Sequence, residues 1–355
     1  MKDRRVWPIV AIAVVLGFTL GGLSVGAWLL GPGGFRHESA ARPTASPTAG
    51  AAAVTAPSPR SDAAMAFDVA AGKLVLFGGH SGNPPQTFGD TWTWNGARWT
   101  VVETASGPVA RWGASMAYDS VRRAVLLHGA LLGGAAAAET WTWDGSRWLL
   151  MSPDQAPPVF DYGYEPTCWD SARGVVLLFA DTDFHAPYMS QIPEWNQTWA
   201  WDGRTWTQLP APGAPSGHGS QPAAIAFDTT RKSTVFFGHV KGTPTTWTFD
   251  GAAWRQASTS GSGSNAFAMA EDGARSNVVL FGENRDTWTW DGATWTVRNP
   301  VHSPPARFGA AMAYDSVHRL VVLFGGSTFG GGVAHDFNDT WSWNGSDWTQ
   351  VSLGG

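Results

Sequence analysis

Asp286-Thr-Trp-Thr-Trp-Asp-Gly-Ala-Thr-Trp295 is one of six near-copies spread along the chain. The others start at Asp90-Thr-Trp-Thr-Trp-Asn-Gly, Glu139-Thr-Trp-Thr-Trp-Asp-Gly, Gln197-Thr-Trp-Ala-Trp-Asp-Gly, Thr245-Thr-Trp-Thr-Phe-Asp-Gly and Asp339-Thr-Trp-Ser-Trp-Asn-Gly. Each then reaches a further tryptophan: Trp99, Trp148, Trp206, Trp254, Trp295 and Trp348. Alternation of Trp with Thr is the period of two of a strand built from aromatic and β-branched residues. The Asn-Gly or Asp-Gly that follows marks a hairpin, because such turns need a positive φ. A two-residue loop at Asn95-Gly96 sets Trp92 opposite Trp99; a four-residue loop sets Trp94 there instead. Either register puts the tryptophans on one face, where a cross-strand aromatic pair contributes about 0.5–1.5 kcal/mol beyond its buried area. Most of the 22 tryptophans therefore read as packing residues rather than as a ring that grips sugars.

Two more strands precede each hairpin. The first, strand A, reads Met65-Ala-Phe-Asp68, Met116-Ala-Tyr-Asp119, Thr167-Cys-Trp-Asp170, Ile225-Ala-Phe-Asp228, Met269-Ala-Glu-Asp272 and Met312-Ala-Tyr-Asp315. A short polar turn follows, which the closing Asp suits because its side chain can bond backbone two residues on. Strand B is a nearly continuous apolar run, as in Leu74-Val-Leu-Phe77 and Leu320-Val-Val-Leu-Phe324, and such runs are buried on both faces. With strands C and D, the two arms of the Trp hairpin, each unit has four strands and recurs at about 49 residues. Sheets apolar on both faces must be covered on both. Six in tandem achieve this by packing radially in a closed ring, which is a β-propeller.

The Gly doublets that end strand B, Gly78-Gly79 and Gly325-Gly326, together with the Asp-Thr-Trp strand and the later Trp, resemble the kelch repeat. The form is similar to galactose-oxidase-like propellers and covers residues 60–352. The resemblance implies that strand A lines the central channel and strand D lies outermost. It also implies a binding role for protein or glycan more than any one chemistry. The copper-radical chemistry of that superfamily needs a Tyr–Cys crosslink, whereas Cys168 aligns with alanines of the other copies and reads as a small buried residue. Nor does the adjacent Asp-Gly match a sialidase Asp-box. No strand is left over for exchange between the ends, so ring closure is expected to rest on packing of blade six against blade one.

The rest of the chain sets the organisation. The full expectation is an all-β, six-bladed kelch-like β-propeller preceded by one N-terminal transmembrane helix and a disordered stalk. Residues 1–5 carry Lys2, Arg4 and Arg5, and residues 6–31 carry no charge. That run can span a bilayer of roughly 30 Å, with positive charge holding the N-terminus in the cytoplasm. A cleaved signal peptide, with secretion, is the alternative. Residues 32–60, rich in Pro, Ala and Thr, read as a linker. The propeller then occupies 61–355, with blades at about 61–102, 111–152, 162–209, 218–258, 265–298 and 307–352. The chain has a net charge of −5. Since the first 60 residues are positive, the propeller is acidic and offers no footprint for nucleic acid. A single cysteine excludes a disulfide framework within the chain.

Function is expected in the B–C loops, which vary most in length. Aligning the ends of strand B sets His128 at the first-Gly position, and Asp181, His239 and Glu283 at the second. By quasi-symmetry these would share one end of the ring. With Asp183, His185 and Trp195 of the longest loop they form the candidate ligand-binding set, against the alternative of polar residues tolerated at a solvated rim. No catalytic residue, metal site or cofactor is assigned. The leading function is a membrane-anchored, extracytoplasmic binding module for a protein or extracellular glycan. The alternative is a carbohydrate-active enzyme using the acid and base groups at that end.

Overall fold

The computed structural model describes residues 56–351, apart from 130–138, 158–164, 182–195, 216–222, 241–242, 259–265 and 331. The segments read as cytoplasmic (1–5), as a membrane span (6–31) and as linker up to residue 55 therefore lie outside the described residues. Among the described residues there is no helix long and apolar enough to cross a membrane.

The described chain is an all-β, six-bladed propeller. Each blade is a four-stranded antiparallel sheet in the order A-B-C-D. In blade one the strands are Ala64–Asp68, Lys73–Phe77, Thr91–Trp94 and Trp99–Val102. The inner strands of the other blades are Ser115–Asp119, Thr167–Asp170, Ala224–Asp228, Ala266–Asp272 and Ala311–Asp315. Each inner strand lies against the next, and the last lies against the first, so the ring is closed.

The apolar runs of strand B explain the core. Leu74, Val75, Leu76 and Phe77 are each 1% exposed or less. Burying such a side chain is worth about 1.5–3 kcal/mol. The core consists of six apolar clusters, one between each pair of neighbouring blades. Blade six meets blade one through Phe324, Val322 and Ala313 against Leu76, Trp94 and Trp99.

The hairpin register is the four-residue one. Trp94 faces Trp99, with ring centroids 5.4 Å apart. Asn95 Oδ1 accepts the N–H groups of Ala97 and Arg98, and Gly96 takes a φ of 92°. Asp144, Asp202, Asp250, Asp291 and Asn344 build the same turn.

The last Trp of each hairpin is also a latch between blades. Its indole N–H donates to the Thr that stands just before the first hairpin Trp in the preceding blade. The pairs are Trp148 with Thr91 (2.9 Å), Trp206 with Thr140 (2.9 Å), Trp254 with Thr198 (2.8 Å), Trp295 with Thr246 (2.7 Å) and Trp348 with Thr287 (2.8 Å). Trp99 closes the ring onto Thr340 at 2.9 Å.

A second ring of latches lies at the turn between strands A and B. Arg122, Arg173, Arg231, Arg275 and His318 each bond the Asp that closes their own strand A. Each also lies where a Cβ would stand on the turn glycine of the following blade: Gly203, Gly251, Gly292, Gly345 and Gly96. Those glycines thus serve a close approach as well as a positive φ. Blade one has Ala71 at the corresponding position, so Asp68 has no such arginine.

Arg60, the last residue of the segment read as linker, is 1% exposed. Its guanidinium grips both oxygens of Asp90 at 2.5 and 2.9 Å and stands 3.9 Å from the centre of the Phe88 ring. Its backbone bonds Phe337 and Gly326 of blade six. Arg111 repeats this one blade on, with Glu139 as partner and backbone bonds to Phe88 and Gly79. Closure therefore rests on more than packing. The seam between the two ends of the ring carries the same bonds as the seam between blades one and two.

Candidate functional site

The ring has two unlike ends. The B–C loops and the D–A connections share one; the A–B and C–D turns share the other. At the B–C end, the Gly doublets decide the loop shape. Gly78 and Gly79 have φ of 70° and 95°, Gly325 and Gly326 have 66° and 98°. These kinks stop strand B and send the chain into a separate hairpin. The hairpins pair His80–Gly82 with Pro85–Thr87 in blade one, and Ser327–Gly330 with Val333–Asp336 in blade six. They adjoin across the closing seam, where the backbone N–H of Gly82 donates to Asp336 Oδ2 at 2.8 Å. Between them lies a cleft of about 460 Å³, lined by Ser81, Asn83, Gln86, Phe88, His335 and Asp336. Phe329, 72% exposed, stacks on Phe308 nearby.

In blades three and four, which lack the doublet, strands B and C stay paired further out. Asp181 pairs with Asn196, and His239 with Pro244. A non-glycine residue at the second position disfavours the positive φ pair that ends strand B in blades one and six.

Of the seven candidate residues, His128, His239 and Glu283 have described side chains. His128 is 0% exposed, bonded to Thr140 and ringed by Trp206 at the seam of blades two and three. Burial pushes its imidazole down to about 4. That place leaves it no surface for a ligand. His239 is buried also; burial pushes its imidazole below the ordinary value, and the charge of Glu283 acts against that. Among the described candidate side chains, His239 and Glu283 are the pair that interact. Only the backbone of Asp181 is described, and Asp183, His185 and Trp195 lie outside the described residues. Among the described residues, no three His, Cys, Asp or Glu side chains converge as a metal group. Cys168 is buried, near Thr234, and burial pushes its thiol up.

Two groups escaped the sequence reading. One is the buried arginine set, Arg60, Arg111 and Arg307, with partners Asp90, Glu139 and Asp339. Its signal was an arginine five residues before the Met of strand A, in three of the four blades that carry an acid just before Thr-Trp. The other is the channel mouth at the A–B end. There all six inner strands contribute side chains to a cavity of about 250 Å³, among them Phe67, Tyr118, Trp169, Phe227, Glu271 and Tyr314.

No protein-family model matches the chain, and no curated protein matches it in sequence. Among solved structures, it is similar to a mutant of the Aleuria aurantia lectin in complex with Fucalpha1-6GlcNAc. That match has a TM-score of 0.51 at 11% identity over 84% of this chain and 99% of the lectin. YCF48 bound to D1 peptide matches at TM-score 0.45 and 11% identity, over 84% of this chain and 83% of that one. A nidogen/laminin complex matches at TM-score 0.41 and 14% identity, over 64% and 75%. At these identities the likeness to the lectin concerns the fold alone.

Proposed function

We propose that the chain is a kelch-like binding module, held outside the cytoplasm by a membrane anchor at residues 6–31, which recognises a protein or an extracellular glycan through its B–C loops. The observation that carries this is the cleft at the closing seam. Two hairpins of different blades flank it, and polar groups, an aromatic ring and a carboxylate line it together. Recognition sites commonly take this form, with variable loops set on a rigid scaffold. The positive-φ Gly doublets and the innermost position of strand A support the kelch reading.

The test is crosslinking capture from intact cells, with a glycan array beside it. The wild type is compared with a variant whose Ser81–Gln86 and Thr328–His335 tips are replaced by short Gly-Ser turns. Capture that the variant loses while its melting is unchanged supports recognition through this cleft. Equal capture by both overturns it. Protease shaving of intact cells tests the topology: a propeller protected from external protease would sink the anchored, extracytoplasmic reading.

A further inference from the structure

Five of the six inner strands carry an aromatic residue just before their closing Asp: Phe67, Tyr118, Trp169, Phe227 and Tyr314. Blade five carries Glu271 there instead. All six side chains line the channel mouth, and so do Met65, Met116, Met269 and Met312. Among the described residues Glu271 is the one charged side chain that lines it. Glu271 Oε1 accepts the backbone N–H of Thr229 at 3.0 Å and its hydroxyl as well. Burial pushes this carboxyl up, and the two bonds from Thr229 act against that.

The wall chemistry selects a ligand class. A lone carboxylate in an apolar cavity calls for one positive charge. A primary ammonium brings three N–H donors; beside Glu271 the lining offers them the hydroxyls of Thr167, Thr229, Ser316, Tyr118 and Tyr314, set among thioether and aromatic groups that make up more of the wall. An alkylated nitrogen has few donors or none. It spreads its charge over methyl groups, which suit aromatic and thioether surroundings. We propose that this mouth binds an organic monocation with an alkylated nitrogen, of the quaternary ammonium kind, with Glu271 as its counter-charge and Trp169, Tyr118 and Tyr314 among its walls. The site lies at the opposite end of the ring from the B–C cleft and does not depend on it.

The experiment is titration calorimetry on the full-length chain in a non-ionic detergent. The probes are choline, tetramethylammonium and 3,3-dimethylbutan-1-ol, which has the shape of choline without its charge. Saturable binding of both cations is expected. The neutral probe should bind at least about tenfold more weakly, and Glu271→Gln and Trp169→Leu should each weaken choline by a similar factor. Gln keeps an oxygen for Thr229, so the Glu271→Gln protein should melt like the wild type. Glycerophosphocholine in the same assay tells a headgroup source from the free cation. No saturable cation binding, equal binding of the neutral probe, or full choline affinity in both folded variants would overturn the proposal. Should either variant melt early, the comparison of choline with its neutral analogue on the wild type decides.

Discussion

Trp99 and Thr340 stand 241 residues apart in the chain, and the Trp99 indole N–H donates to the Thr340 hydroxyl at 2.9 Å. The bond joins the outer strand of blade one to blade six, and five others like it join the remaining seams. Thr340→Val leaves a buried indole N–H without an acceptor, which costs about 1–3 kcal/mol. Thr287→Val at the seam of blades five and six should cost a similar amount. Urea unfolding of both variants checks this. A much smaller loss at Thr340 would mean that the closing seam is the weak one.

Asp68 is the inner-strand Asp with neither a turn arginine nor a turn histidine, and burial raises its carboxyl above the ordinary value. The folded state therefore binds its proton more tightly than the unfolded chain does. The associated stability is present at low pH and is lost as pH rises through the raised value. Ala71→Arg supplies the missing partner and should add about 0.5–1 kcal/mol at neutral pH, with little gain near pH 3. Melting curves at the two pH values decide; equal gains would rule out the charge as the cause.

Arg60 and Asp90 differ in burial, with side chains 0% and 32% exposed. Asp90→Ala strands a fully buried guanidinium and should cost about 3–5 kcal/mol. Arg60→Ala leaves a carboxylate that water can reach, so the loss should be smaller, about 2 kcal/mol. Burial raises the Asp90 carboxyl, but the bonds and charge of Arg60 outweigh it and hold it below the ordinary range. That contribution is full above the unfolded value and fades as pH falls. Denaturant midpoints of the two variants should fall in this order, and the reverse order would refute the account.

His128, pushed by burial to about 4, is neutral in the folded protein at pH 6. The unfolded chain takes up a proton there near 6.5, so acid favours unfolding from about pH 6.5 down to about 4. The displacement corresponds to roughly 3 kcal/mol across that window. His128→Leu should lower stability at pH 7.5, through the lost bond to Thr140, and flatten the decline towards pH 5. A variant as acid-sensitive as the wild type would move the titration to another group.

The propeller was legible because its signals are periodic: the Thr-Trp alternation and the runs of strand B recur in phase, and each demands the same burial. The length of the Asn95 loop was not, since Trp92 and Trp94 share a face and parity cannot choose between them. Backbone pairing chose Trp94. The Arg60, Arg111 and Arg307 pairs lay in plain residues, but their partners are about 30 positions away and no short-range pattern links them. The candidate site was less legible. Quasi-symmetry aligned His128 with glycines, but its pairing with Ser115 and Thr140 turns it into a seam. Polar residues of the Trp hairpins carried structural roles as well. Thr198 and Thr340 are the acceptors of Trp254 and Trp99, and Asn344 caps its own turn.

Every blade keeps its own four strands, and the closing seam repeats the bonds of its neighbour. Where the polypeptide starts is thus a matter of covalent bookkeeping rather than of architecture. A gene cut inside another A–B turn, with the old ends joined, should encode the same ring. Under tension the ends are not equivalent to the rest. Five seams are backed by peptide bonds, and a pull between the two termini loads the sixth, where the Trp99 indole, the backbone of Arg60 and packed apolar side chains hold without one.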